Sequence, residues 1–240
     1  MNTGSIVNQD EFGAFHRRDE GGGAGMSERV FRDRREAGKF LAQALAHYAG
    51  RKDVVVLGLP RGGVPVAAEV ARALGAPLDV LIVRKLGAPG QEELAIGAIA
   101  EGGKRVLNRD LVENLGLTRR DIDDLSHSEE RELERRVRIY RGGRGPLPVA
   151  DRTVIVVDDG VATGATMRAG LQSLRARGAA FVIAAAPVGA ADSVDALRED
   201  ADEVVVLEAP AWFRAVGQWY ENFGQTTDEE VRACLEEEAA

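Results

Sequence analysis

Apolar residues follow two rhythms along this chain. In the first they stand in near-continuous runs: Val54–Leu57, Leu78–Val83, Thr153–Val157, Phe181–Ala186 and Val204–Leu207. Runs of this length and β-branched character mark strands buried on both faces of a parallel sheet. In the second rhythm they recur at helical spacing. Phe31, Ala37, Leu41, Ala44, Leu45 and Tyr48 form one stripe; Val66, Val70 and Leu74 form another behind Pro65, with Gly75 beyond its end. Met167, Leu171 and Leu174 form a third that stops at Gly178, and shorter helical patterns cover Asp192–Arg198 and Asp228–Glu238. Strand and helix alternate, which predicts an α/β fold: a mainly parallel, doubly wound sheet with helices on both faces. Leu94–Ala100 is expected to add strand structure before the Gly102-Gly103 turn.

Residues 108–145 depart from that alternation and are expected to form a helical insertion and linker. Asn108 can cap a short helix to Leu115, ended by Gly116, and Thr118 opens a longer one. Its stripe, Ile122, Leu125, Leu133, Val137 and Tyr140, is sparse, and Glu132–Arg136 and Glu134–Arg138 sit one turn apart. This helix is expected to lie against the sheet or a partner subunit, with His127 on its polar face and Arg141–Pro146 as the way back. Residues 209–240 should make a small C-terminal hood and helix. Trp212, Phe213, Trp219, Tyr220 and Phe223 cluster there, and they either stack a ring or pin the last helix to the core. Residues 1–25 are polar, lack an apolar period and end in Gly21-Gly22-Gly23-Ala24-Gly25 before Met26. They read as a disordered leader to a single domain at 26–240, or as an upstream start with Met26 the functional beginning, the alternative being a docking arm using Phe12 and Phe15.

The candidate chemistry gathers where strands stop. The run at Thr153–Val157 ends in Asp158-Asp159 and then Gly160-Val161-Ala162-Thr163-Gly164-Ala165-Thr166. Small residues let backbone N–H groups approach a ligand, and the following helix presents unpaired N–H groups at its positive end, which suits a phosphate. Two carboxylates suit vicinal hydroxyls or a ligand-borne divalent cation instead. A phosphate beside a diol describes a ribose 5-phosphate. At Val54–Leu57 the strand runs into Gly58-Leu59-Pro60-Arg61-Gly62-Gly63, where Arg61 and the N–H groups of Gly62 and Gly63 make a second anion site. Arg84-Lys85 closes the Leu78–Val83 run, and Leu86–Glu93 has the composition of a lid, with Glu92 and Glu93 as acid–base candidates. Phe31-Arg32-Asp33-Arg34 puts charges at the start of the first helix, where they either face a neighbouring site or, as expected, form a solvated first turn.

The stretch 153–166 resembles the signature of type I phosphoribosyltransferases, with Ala165 where a second glycine is common. The resemblance implies a phosphoribosyl pyrophosphate site. Asp158 and Asp159 would act on the ribose hydroxyls and on Mg²⁺, largely through ligand hydroxyls or water, and residues 160–166 would surround the 5-phosphate. Arg61, Gly62 and Gly63 are similar to the family's pyrophosphate loop. Arg84 and Lys85 match a basic pair of adenine- and xanthine-type members, which would hold the leaving group with Arg61. Trp212 and Phe213, just past a strand end, are the stacking candidates for the acceptor. Members acting on 6-oxopurines carry an aspartate where this chain has Ala162, so hypoxanthine and guanine are expected to be poor acceptors. The implied reaction displaces pyrophosphate from C1 by a base nitrogen or related nucleophile. A non-catalytic phosphoribosyl pyrophosphate-binding regulator is the alternative.

Composition narrows this further. A net charge of −8 over 240 residues argues against a broad nucleic-acid surface. The single cysteine, Cys234, excludes an internal disulfide and fits a reducing cytoplasm. No apolar run approaches a membrane span. A homodimer is compatible with all of this. Neither a Gly-x-x-x-x-Gly-Lys-Ser/Thr nor a Gly-x-Gly-x-x-Gly sequence occurs, which sets aside the common kinase and dehydrogenase loops.

Overall fold

The computed structural model describes residues 29–101 and 104–238; the expected leader and the Gly102-Gly103 turn lie outside the described residues. Five strands, β1 (Val54–Gly58), β2 (Leu78–Val80), β6 (Thr153–Val157), β7 (Phe181–Val188) and β8 (Glu203–Glu208), pair in parallel in the order β2-β1-β6-β7-β8. Every residue of β1 and β6 is buried. Successive side chains of a strand face opposite ways, and both faces are filled. Val54, Val56, Ile155, Val157 and Ile183 meet α1 (Arg34–Ala44) and α2 (Gly63–Leu74). Val55, Leu57, Val154, Val156 and Ala184 meet α5 (Ala165–Ala176) and α6 (Ala191–Leu197). This is the doubly wound α/β fold expected from the apolar runs.

The run at 78–83 does not form one strand. The parallel ladder of β2 ends at Val80, the Leu81 N–H still reaches Gly58 O at 2.9 Å, and at Val83 the chain enters a second sheet. That sheet is antiparallel: β3 (Val83–Ala88), β4 (Gln91–Ala100) and β5 (Lys104–Leu107). A continuous apolar run does not say which sheet buries it. Here Leu81 faces the α5 core, while Ile82 joins Leu86, Ile96 and Ile99 in a separate cluster. Residues 86–93, expected as a lid, have regular structure: β3 runs to Ala88, Gly90 turns at φ 74°, and β4 begins at Gln91. The side chains of Glu92 and Glu93 lie outside the described residues.

The second sheet is covered by α4 (Arg119–Arg141), with α3 (Arg109–Asn114) before it. Asn108 caps α3 through the Leu111 N–H, and Thr118 and Asp121 form a capping box for α4, as their sequence positions predict. Glu132 pairs with Arg136 at 2.9 Å. Arg141 corrects an expectation: it is the last residue of α4 and not part of a linker, and it is 4% exposed. Its guanidinium pairs with Asp79 at 2.8 Å, donates to Val80 O at 2.9 Å, and also meets Glu101. This buried ionic joint ties β2, β4 and α4 together.

The 31–33 segment meets the hood. The expected first helix begins at Arg34 and not at Phe31, because the Asp33 carboxylate accepts the Glu36 N–H at 2.8 Å and caps it there. Phe31 instead bridges in parallel to Tyr220, with Phe31 N–H to Trp219 O and Glu221 N–H to Phe31 O both at 2.8 Å. The aromatic cluster therefore holds the N-terminal segment, since Trp219 and Tyr220 bury against Phe31. The last helix, α7 (Asp228–Glu237), docks on α2 and α4 through Val231, Cys234 and Leu235.

Candidate active site

Counted among the parallel strands, the order is 2-1-3-4-5, so the winding reverses between β1 and β6. Ligands of open α/β sheets bind at the carboxyl ends of the strands at such a switch point. The Arg61 loop leaves β1 there and the acidic pair leaves β6 beside it. A Cβ on Gly62 would lie 1.9 Å from Asp159 Oδ2, and one on Gly63 would lie 2.6 Å from Val157 O. Glycine at 62 and 63 is therefore required by the close approach of the two loops, whatever they bind. The Pro60–Arg61 peptide is cis.

The acidic pair is fixed from several sides. Asp158 Oδ1 accepts the Asp159 N–H at 2.9 Å, and the Asp158 N–H donates to Ala185 O at 3.2 Å. Burial, and then the neighbouring Asp159 charge, push the Asp158 carboxyl well above the usual carboxylate range. Asp159 is met by Arg34, whose Nε lies 2.8 Å from Oδ2, both side chains being nearly buried. The Tyr220 hydroxyl donates to Asp159 O at 2.6 Å, and burial raises that phenol. Arg34 overturns the expectation of a solvated first turn. The signal was present: a cation at a helix N-terminus opposes the dipole and needs a carboxylate nearby.

Beyond the pair, Val161 is held by Val188 and Gly189, and Gly164 adopts the left-handed conformation at φ 71°. α5 starts at Ala165 with no side-chain cap from Gly164; Thr163 Oγ1 accepts the Ala165 N–H at a long 3.4 Å. Ala162, Thr163 and Thr166 are exposed there. This turn offers hydroxyls and the positive end of a helix to an anion. On the other loop Arg61 stands 3.9 Å from Asp228 Oδ1, which also accepts the Tyr140 hydroxyl at 2.8 Å. Burial and then that carboxylate push Tyr140 up to about 12.

A cleft of about 390 Å³ opens between these elements and the hood, lined by Arg34, Arg61, Gly62, Asp159 and residues 223–226. Other sequence candidates stand outside its lining. Arg84 and Lys85 do not end a parallel strand but sit within β3, and Arg84 Nε is 2.6 Å from Glu129 of α4. Trp212 is 86% exposed on the surface. Phe213 packs against the Phe31 cluster. The aromatic that does line the cleft is Phe223, with the Arg34 guanidinium 4.0 Å above its ring. Among the described residues no group of three or more His, Cys, Asp or Glu could hold a metal by itself. No helix among them is long and apolar enough to cross a membrane.

The chain is similar to known proteins over most of its length. A family model described as a phosphoribosyl transferase domain matches residues 32–223. Curated proteins from two Mycobacterium tuberculosis strains, provisionally named phosphoribosyl transferases, are 54% identical over 208 residues, or 87% of this chain and 47% of theirs. The chain thus spans about half the length of these relatives. The crystal structure of the Thermus thermophilus protein TT1426 is 46% identical and superposes with a TM-score of 0.80, covering 87% of this chain and 98% of that one. The matched span takes in both strand-end loops, the acidic pair and Phe223, and by it the chain belongs to the phosphoribosyl transferase domain family.

Proposed function

We propose that the chain is a pentosyltransferase that moves the phosphoribosyl group of phosphoribosyl pyrophosphate to a nitrogen of a small-molecule base or related nucleophile. One observation carries this: a carboxylate pair and an arginine loop abut at the switch point, the Gly62 backbone against Asp159, beside a helix N-terminus without a side-chain cap. The 5-phosphate would take the turn at 160–166, the ribose diol would donate to Asp158 and Asp159, and the pyrophosphate would meet Arg61 and the Gly62-Gly63 backbone. Catalysis then rests on orientation and charge stabilisation. Arg84 and Lys85 join the leaving group in this proposal only as β3 swings toward the cleft.

Mg²⁺ fits the donor set. Two carboxylates, with no third acidic or imidazole partner among the described residues, make a poor cage, but Mg²⁺ is commonly bound by one or two carboxylates plus ligand phosphates. Bound there, it would neutralise charge on the departing pyrophosphate. Burial raises the proton affinity of Asp158, and donors from the diol would favour its ionised form.

The acceptor should not be hypoxanthine or guanine. The loop carries Ala162 at the relevant place, and what that residue offers is a backbone carbonyl held by Ser193 Oγ at 2.6 Å, not a carboxylate. The proposed setting is the cytoplasm, and a homodimer is compatible with the fold. Incubation with Mg²⁺, phosphoribosyl pyrophosphate and a panel of bases, reading pyrophosphate release, tests the proposal. Base-dependent release is expected, with hypoxanthine and guanine at the bottom of the panel. Tight binding without release from any base would make the chain a sensor of phosphoribosyl pyrophosphate instead.

A further inference from the structure

Arg34 makes three contacts that no single structural purpose explains. Its Nε donates to Asp159 Oδ2 at 2.8 Å, its Nη1 donates to Gly224 O at 2.7 Å, and its plane lies 4.0 Å from the Phe223 ring centroid. The first partner belongs to the end of β6, the other two to the hood on the far side of the cleft. Arg34 is placed by α1, whose cap at Asp33 is well formed, so the guanidinium reaches inward from a rigid base. Phe223 in turn stacks on Tyr220 at 5.0 Å between centroids, and the Tyr220 hydroxyl holds the backbone of the same Asp159.

Both close approaches to Asp159 fall on one oxygen. Oδ2 takes the Arg34 bond and is also the atom packed against Gly62. With Oδ2 held from both sides, the direction in which the carboxylate meets a ligand hydroxyl is set. A guanidinium does this better than an ammonium, because its planar fork can donate in two fixed directions while its face lies on an aromatic ring.

Resting on the proposed function, we infer that Arg34 is a positioning residue for the ribose end of the ligand: it fixes the orientation of the Asp159 carboxylate and straps the 223–224 segment to it across the cleft. It acts through Asp159, so its loss should be felt by any ligand carrying the ribose diol. A ligand that reaches only the Arg61 loop should not feel it.

Calorimetric titration in Mg²⁺ with three probes, phosphoribosyl pyrophosphate, ribose 5-phosphate and inorganic pyrophosphate, tests this. Arg34→Gln should weaken the first two by a common factor on the order of tenfold, the size of one charge-assisted hydrogen bond, and leave pyrophosphate within about twofold of wild type. Arg34→Lys should recover only part of that loss. Arg61→Ala should show the reverse pattern, sparing ribose 5-phosphate. Unchanged ribose 5-phosphate affinity in Arg34→Gln overturns the inference while leaving the proposed function standing. An equal loss for all three probes with a lowered melting temperature also overturns it, since that is what a merely structural arginine would give. A wild-type protein that binds none of the probes defeats the proposed function and the inference with it. Should Arg34→Gln not fold, Phe223→Leu removes the stacking face alone; it should weaken the two ribose ligands about threefold, and no change overturns the inference.

Discussion

Neither β1 nor β6 carries a charged residue, whereas β3 and β5 of the second sheet carry Arg84, Lys85 and Arg105. Arg84 is answered by Glu129 of α4, and Arg105 by Asp123 and by Glu130 at 3.2 Å. The central strands β1 and β6 are buried on both faces, so the charge beside them stands where they stop; Asp79, within the edge strand β2, has Arg141 over it. The antiparallel sheet lies under a charged helix, and its arginines are answered from within the fold. A basic residue in the second sheet is therefore weaker grounds for a ligand than one at the edge of the first. The same rule separates Arg61, whose carboxylate partner is 3.9 Å away, from Arg141, which is fully enclosed by its partners.

The comparison can be broken at the joint between the sheets. Arg141→Ala leaves the buried Asp79 carboxylate without its cation and should cost about 3–5 kcal/mol in urea unfolding. Replacing Arg141, Asp79 and Glu101 together by apolar residues of similar volume should recover most of that. In the parallel sheet the corresponding test is apolar: Ile155→Ala, at a fully buried position, should cost about 2–5 kcal/mol by the same measurement. A much smaller loss at Ile155 would mean that the central sheet relies on more than burial.

At the edge the effect should reach the ligand as well as stability. Gly62→Ala drives a methyl into Asp159 Oδ2, so it should cost about 1–3 kcal/mol in urea unfolding and also weaken phosphoribosyl pyrophosphate in calorimetry. The smallest effect belongs to Arg84→Ala. Its pair with Glu129 is about a third exposed, so about 0.2–1 kcal/mol of stability is at stake. Pyrophosphate release decides its other role: unchanged release would remove Arg84 from the site, and a clear fall would restore it.

Much of this was legible in the chain. Apolar runs name strands buried on both faces, and Asn108, Thr118 and Gly75 mark helix ends by local chemistry alone. The acidic pair and the Arg61 loop were legible because each interrupts such a run. What escaped needed long-range partners. Nothing near Leu81 says that the run changes sheets after Val80, because either sheet would bury it. Arg141 looks like part of a Gly-Arg linker until Asp79, 62 positions away, is brought under it. Arg34 looks solvated until Asp159, 125 positions away, arrives. Trp212 drew attention as an aromatic, yet Phe223, eleven residues on, is the ring at the cleft.

The parallel bridge between Phe31 and Tyr220 has a kinetic consequence. It and the Arg34–Gly224 bond close a loop of some 190 residues, and loop-closure entropy must be met before so distant a contact contributes. The sheet between them has to be in place first, since it sets the two segments side by side. The cover of the acidic pair should thus be among the last parts to assemble during refolding. Binding competence should appear after the bulk of the secondary structure, and a fragment lacking either the 31–34 or the 220–224 segment should regain the sheet without regaining the ligand.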